Sequence, residues 1–140
     1  MAFRVLSLPE ELPQAEACFR RLPQAGPYHD PRYVAFLGAY YGERALYAGE
    51  VGEAGGIGYP FLLRPASGGP LPGDGQEDRE IIGSWYYGGP LAWGNGDSLR
   101  EGFWAGFSAW ARQQGVVTQF IRFDPNLRNH EGWPTDSPSP

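Results

Sequence analysis

The chain has 140 residues, which suits one domain, and its 41% hydrophobic and 15% aromatic content can fill a core without disulfides or metal. Its formal net charge of −5 argues against a nucleic-acid-binding protein or one that docks on anionic membranes. All eleven basic residues are arginine, which excludes a Schiff-base lysine and a Walker-type phosphate-binding lysine.

The predicted elements begin with a strand at residues 2–8, followed by a helix that starts among prolines and ends at Pro23. Asp30 and Pro31 form an N-cap and first-turn pair for a second helix, which Gly42 closes. Two strands then follow, joined by a glycine-rich turn that is typical of a hairpin, at about 44–51 and 57–64.

Residues 65–79 are rich in proline and glycine and predict a surface loop. A short strand at 80–83 leads into an aromatic, glycine-rich segment at 84–96. Asp97 or Ser98 is expected to cap a third helix that Gly115 ends, before a last strand at 116–123. The order β-α-α-β-β-β-α-β predicts an α/β (α+β) fold, one mixed sheet with helices on its faces. Residues 131–140 are expected to form a disordered tail.

Apolar residues at helical spacing predict which side chains fill the core. The core positions expected in the second and third helices are Phe36, Leu37, Phe103, Phe107 and Trp110.

The residue types that carry most chemistry are sparse in this chain. The lone cysteine, Cys18, excludes an intramolecular disulfide and a multi-cysteine zinc site, and its apolar surroundings favour buried packing. His29 and His130 have no partner at metal-ligand spacing and are expected to be surface or capping residues. We therefore predict no metal, no cofactor and no complete catalytic site. No run approaches the ~20 apolar residues of a membrane span, so we expect a cytoplasmic protein.

Two features remain candidates for binding. The segment that contains Tyr86 and Tyr87 combines aromatic faces, hydroxyl groups and main-chain N–H groups between a strand and a helix N-terminus. It either binds a ligand or plugs the end of the sheet. Arg64 and Arg122 lie among strand hydrophobes, where an arginine is unusual unless it forms an internal ion pair or reaches a ligand.

Four segments in this order resemble one known family. They are Asp-Pro-Arg-Tyr at 30–33, Pro-Phe-Leu-Leu-Arg at 60–64, Tyr-Tyr-Gly-Gly-Pro-Leu at 86–91, and Phe-Ile-Arg-Phe-Asp-Pro at 120–125 with Asn126 and Asn129. From about residue 3 to 130 the chain resembles the N-terminal half of the Fem-like proteins. These are peptidoglycan-bridge aminoacyltransferases and their relatives, built from two domains of the GNAT acetyltransferase fold. The resemblance implies a single GNAT-like domain over residues 1–130.

The resemblance also sets an expectation for function. GNAT enzymes bind the pyrophosphate of acyl-CoA on a glycine-rich turn, and here that place holds the bulky segment 84–91, whose Pro90 lacks an N–H. The family continues with a second GNAT-like domain, where this sequence turns to Pro and Ser. The resemblance therefore implies an acyltransferase half-domain that is not catalytic alone and forms the groove for an acceptor, a peptidoglycan precursor or a related small molecule. The residues carried over as acceptor-binding are Tyr86, Tyr87, Arg122 and Arg64.

The same resemblance implies a partner, either a second copy in a homodimer or a separate GNAT-like subunit. Two other functions stay open. The groove could serve a non-enzymatic protein-interaction module, or the chain could be a self-contained small N-acetyltransferase with an unorthodox CoA site.

Overall fold

A computed structural model describes residues 1–22, 25–66, 78–84 and 87–133 of the chain. In this part of the chain a six-stranded mixed sheet carries helices on both faces. The strands are β1 Arg4–Leu8, β2 Arg44–Val51, β3 Gly55–Pro65, β4 Arg79–Ile82, β5 Leu91–Gly94 and β6 Val116–Phe120. The helices are α1 Leu12–Phe19, α2 Pro31–Tyr41 and α3 Arg100–Gln113, with short 3-10 turns at Pro27–His29 and Gly96–Leu99.

The mixed α/β class is confirmed, but the strand count was wrong by one. β5 lies inside the aromatic, glycine-rich segment 84–96, for which the sequence analysis predicted no strand. It exists because it pairs antiparallel with the first four residues of β3, Gly55–Gly58, three of which are glycine. The order in the described chain is therefore β-α-α-β-β-β-β-α-β.

The sheet has the strand order β1-β2-β3-β4-β6, with β5 attached to β3. The predicted hairpin of β2 and β3 is antiparallel and runs from the pair Val51 and Gly56 to the pair Arg44 and Leu63. β4 pairs with the far end of β3, and β6 pairs with β4 in the parallel sense. A parallel pair needs a crossover, and α3 supplies it.

The core has two parts, one on each face of the sheet. Phe103 and Phe107 of α3 are fully buried against alternate strand residues such as Phe61 of β3. On the other face α1 and α2 bury residues such as Cys18 and Leu37 against the intervening strand positions. Each strand in the centre of the sheet is thus apolar on both faces, which is why β3 reads as an almost unbroken buried run.

Helix α2 begins and ends where the sequence predicts. The Asp30 side chain accepts a hydrogen bond from the Arg32 N–H at 2.9 Å, and Gly42 ends the helix with φ +69°. The predicted core position Phe36 is wrong, because its side chain is 61% exposed. Val34 and Leu37 face the sheet, so Phe36 points outward and stacks on Tyr40 with ring centroids 6.1 Å apart.

The last third of the described chain departs from the prediction at three places. A 3-10 turn, Gly96–Leu99, precedes α3, whose N-cap position is Leu99 and carries no side-chain cap. β6 ends at Phe120, three residues before the predicted end at 123. Trp133, which we had assigned to the tail, is buried in the α3 core, while residues 134–140 lie outside the described part. Within that part, no helix combines the length and apolar character needed to cross a bilayer.

Candidate functional site

One cavity of about 320 Å³ lies over the end of the sheet where β4 and β6 finish. Its floor is a row of side chains that the strand register places side by side. Leu62 pairs with Ile82, and Ile82 pairs with Phe120. Residues that are directly paired across strands share a face, and Leu62 packs in the α1/α2 core, so this row lies on the α1/α2 face. The described residues that line the cavity are Tyr41, Glu43, Leu62, Arg64, Ile82, Gly83, Ser84, Phe120 and Arg122.

The cavity is open because α2 ends before it reaches the edge of the sheet. α2 finishes at Tyr41, beside the cavity, and the chain then turns through Gly42 into β2. Phe120, at the far side of the floor, is 61% exposed. A ligand would therefore rest on an apolar strand surface with one helix end as its wall.

Arg64 forms internal ion pairs, which is one of the two alternatives that the sequence left open for this residue. Its Nε lies 2.6 Å from a carboxylate oxygen of Glu80, its direct cross-strand partner, and its guanidinium lies 3.6 Å from Glu43. The internal ion pair is therefore confirmed for Arg64. Because two carboxylates share one guanidinium, Arg64 is committed to protein partners.

Arg122 differs from Arg64 in this respect. Its side chain is exposed at the cavity, and it makes no hydrogen bond or ion pair with any residue in the described ranges. Its main-chain carbonyl accepts a hydrogen bond from the Gly88 N–H at 2.7 Å, which fixes the backbone beneath it. The guanidinium therefore presents its five N–H donors at the open side of the cavity.

Of the two predicted tyrosines, the structure describes only Tyr87, and Tyr87 does not line this cavity. Tyr86 lies outside the described residues. The Tyr87 ring packs edge-on against Tyr28 with centroids 6.2 Å apart, and Tyr87 is absent from the described lining of the cavity. Its carbonyl lies 2.6 Å from the Ser84 Oγ, which is also 2.8 Å from the Tyr28 carbonyl. In its described part, this loop is packed rather than open.

The sequence also missed residues that shape the cavity. Tyr41 and Glu43 flank the glycine that ends α2, and nothing in their spacing indicates that Glu43 pairs with Arg64 or that Tyr41 lines the same cavity. Phe120 was assigned to the last strand with no role in binding, and it lies exposed on the cavity floor. Only the register between β3, β4 and β6 places them together.

The residues with potential for acid–base or nucleophilic chemistry lie elsewhere. His29 is 1% exposed, so its predicted surface or capping position is wrong, and burial lowers its pKa. Cys18 is buried as predicted, burial raises the pKa of its thiol, and its Sγ lies 3.6 Å from the Ile57 carbonyl oxygen. Neither lines the cavity, and among the described residues no group of three His, Cys, Asp or Glu side chains could hold a metal ion.

Comparison with protein-family models, with curated proteins and with solved structures found no match for this chain. The cavity is therefore interpreted from its own chemistry. It offers an apolar floor and one exposed guanidinium, and its carboxylates are held by Arg64. Such a set can bind and orient a molecule that carries both an anionic and an apolar part.

Proposed function

We propose that this domain binds a small anionic acceptor in the cavity between α2, β4 and β6, as the acceptor half of a GNAT-fold, Fem-like acyltransferase that does not catalyse transfer alone. The proposal rests on the position and exposure of Arg122. It lies beside the apolar row of Leu62, Ile82 and Phe120, and it has no ion-pair partner among the described residues. Arginine recognises carboxylate and phosphate groups through paired N–H donors, which suits it to this role.

The loop before β5 supports a binding role without an acyl-CoA site. A pyrophosphate site of the GNAT kind needs free main-chain N–H groups on a tight turn. Here the Gly88 N–H is used by the Arg122 carbonyl, and Pro90 has none. A Cβ atom on Gly89 would meet Ile121 and Phe123 at 3.0 Å, so this turn is already filled by the protein. The acyl donor would then be held by a second domain, a separate GNAT-like subunit or a second copy.

Calorimetry with a soluble muramoyl pentapeptide, a peptidoglycan precursor with free carboxylates, tests the proposal. We expect binding by the wild type and a dissociation constant about 10- to 100-fold weaker for Arg122→Gln, the loss expected for hydrogen bonds to a charged group. Arg112→Gln, an exposed arginine in the last turn of α3, is the matched control and should bind like the wild type. Acetyl-CoA should not bind.

Three results would refute this function. The wild type could fail to bind the pentapeptide, or Arg122→Gln could bind it as tightly as the wild type. A dissociation constant for acetyl-CoA at or below ~10 μM would favour a self-contained N-acetyltransferase.

A non-enzymatic interaction module is the second candidate. The exposed, stacked rings of Phe36 and Tyr40 on α2 favour it, since large exposed aromatic side chains often mark protein contacts. Failure of every small acceptor to bind, together with capture of a protein that Phe36→Ser abolishes, would favour this reading.

A further inference from the structure

The carboxylate of Glu43 faces the cavity between α2, β4 and β6 and is only loosely held by the protein. Glu43 lines the cavity, and its side chain is 17% exposed. The nearest Arg64 nitrogen lies 3.6 Å away, longer than a hydrogen bond, whereas Glu80 receives a hydrogen bond from the Arg64 Nε at 2.6 Å. Among the residues that the structure describes, none donates a hydrogen bond to the Glu43 carboxylate.

Glu43 and Arg122 therefore present complementary unmet needs to one cavity. A carboxylate accepts several hydrogen bonds, and a largely buried one without donors is unfavourable. Arg122 offers donors and has no acceptor within the described ranges. A ligand that carries an ammonium group and a carboxylate would supply both with charge-assisted hydrogen bonds, which are the strong ones. A simple anion would satisfy Arg122 and leave Glu43 as it is.

The sheet sets the distance between the two groups. Glu43 directly precedes β2, and Arg122 follows the end of β6 by two residues. The strands between them in the sheet are β3 and β4, so three strand spacings of ~4.8 Å, about 14 Å in total, separate the two main chains. Both side chains reach into the cavity and shorten this gap. Two or three extended residues, about 7–10 Å of chain, match the remaining length.

We infer that the cavity takes a short apolar peptide with both ends free, its carboxylate on Arg122 and its terminal ammonium on Glu43. The apolar floor between the two groups receives the peptide's side chains. A single amino acid does not fit this arrangement, because its two charges lie too close together to reach both residues. The inference rests on the proposed function, since it uses the same cavity and the same role of Arg122, and it adds Glu43 as the residue that selects for a free amino group.

Titrations followed by nuclear magnetic resonance, which measures weak binding, test the inference with three probes. They are trileucine, N-acetyl-trileucine, which lacks the ammonium, and trileucine amide, which lacks the carboxylate. We expect the wild type to bind trileucine and to bind each blocked peptide about 10- to 100-fold more weakly. Glu43→Gln should bind trileucine more weakly by a similar factor and should no longer distinguish it from N-acetyl-trileucine. Glu101→Gln removes the same charge from an exposed position on α3 and should behave like the wild type.

Three results would overturn the inference. The wild type could fail to bind trileucine, it could bind N-acetyl-trileucine as tightly, or the loss on acetylation could persist undiminished in Glu43→Gln. The comparison of peptides on the wild type does not depend on how any variant folds. If the muramoyl pentapeptide still binds in a way that needs Arg122 while trileucine does not bind, only the peptide inference fails. If Arg122→Gln changes the binding of neither ligand, the proposed function fails with it.

Discussion

Asn129 joins two segments that are far apart in the sequence. Its Nδ2 donates to the carbonyl oxygen of Gly88 at 2.8 Å, and its Oδ1 accepts from the main-chain N–H of Asp124 at 2.8 Å. Asn129 is 7% exposed, so these bonds are shielded from water. Gly88 in turn donates to Arg122, so one buried amide holds the loop before β5 against the segment that carries the exposed guanidinium.

Replacing Asn129 by Ala should lower the free energy of unfolding by about 1–3 kcal/mol, because the Gly88 carbonyl and the Asp124 N–H would lose their partner. Asn126→Ala is the matched control, since Asn126 is exposed and uses its main-chain N–H to reach Asp124. Urea denaturation measures both values. Equal stability of the two variants would show that the Asn129 bonds do not hold the loop.

Two helical glycines should respond in opposite directions to replacement by Ala. At Gly38 in α2 a Cβ atom would lie 2.8 Å from the Glu43 carbonyl oxygen and 2.9 Å from the Ala45 Cβ, so Gly38→Ala should be destabilising. At Gly102 in α3 nothing lies within 4 Å of the added Cβ. Gly102→Ala should therefore stabilise the protein by about 0.5–1 kcal/mol through helix propensity. Thermal unfolding gives the signs, and a stabilising Gly38→Ala would contradict the close packing of α2 on β2.

Phe107 and Phe36 test the division between core and surface on the helices. Phe107 is 1% exposed and Phe36 is 61% exposed, although helical spacing assigned both to the core. Phe107→Ala should cost about 3–5 kcal/mol through lost burial and the cavity it leaves. Phe36→Ala should change stability by less than about 0.5 kcal/mol. Urea denaturation at low micromolar concentration measures both, and a large loss for Phe36→Ala would mean that its side chain is covered.

His29 should make the stability depend on pH between about 5 and 7. Burial lowers its pKa below the ordinary value of 6.5, so in this range the unfolded chain binds more protons at His29 than the folded chain does. The free energy of unfolding should therefore fall as the pH drops below about 6.5. His29→Gln should flatten this slope, whereas His130→Gln, which alters an exposed side chain, should keep it.

A second acidic loss of stability has a separate window. Partial burial would raise the pKa of Asp30, but its hydrogen bonds and ion pair with Arg32 outweigh this and lower it. A carboxyl whose folded pKa is lowered gives up its stabilisation only as the pH falls through about 4 and below. A slope between pH 5 and 7 that survives in His29→Gln would therefore point away from both residues.

Local signals made much of the fold predictable. Asp30 and Gly42 fix the ends of α2 through bonds and backbone angles within a few residues, so the sequence alone locates them. β5 was missed because it depends on pairing with Gly55–Gly58, more than thirty residues earlier in the chain. Phe36 was misplaced because the helical spacing fits two overlapping stripes, and only the sheet decides that Val34 and Leu37 face it.

The cavity was predictable only in part. Arg64 and Arg122 were predicted as binding candidates because each lies among the hydrophobic residues of a strand. Both line the cavity. Their different states, one held by Glu43 and Glu80 and one exposed, depend on contacts between distant segments. For the aromatic segment the sequence left binding and packing open, and contacts with Ser84 and Tyr28 pack its described part around Tyr87.

The parallel pairing of β4 and β6 has a consequence for how the chain assembles. β2 and β3 are neighbours in sequence, so they can pair by starting at the short turn that joins them. β6 can pair with β4 only after α3 has spanned the thirty-odd residues between the two strands. We therefore expect the hairpin to form early and the β4–β6 pair to close late. Since the cavity floor is the row across β3, β4 and β6, the ligand-binding region would be the last part of the molecule to become structured.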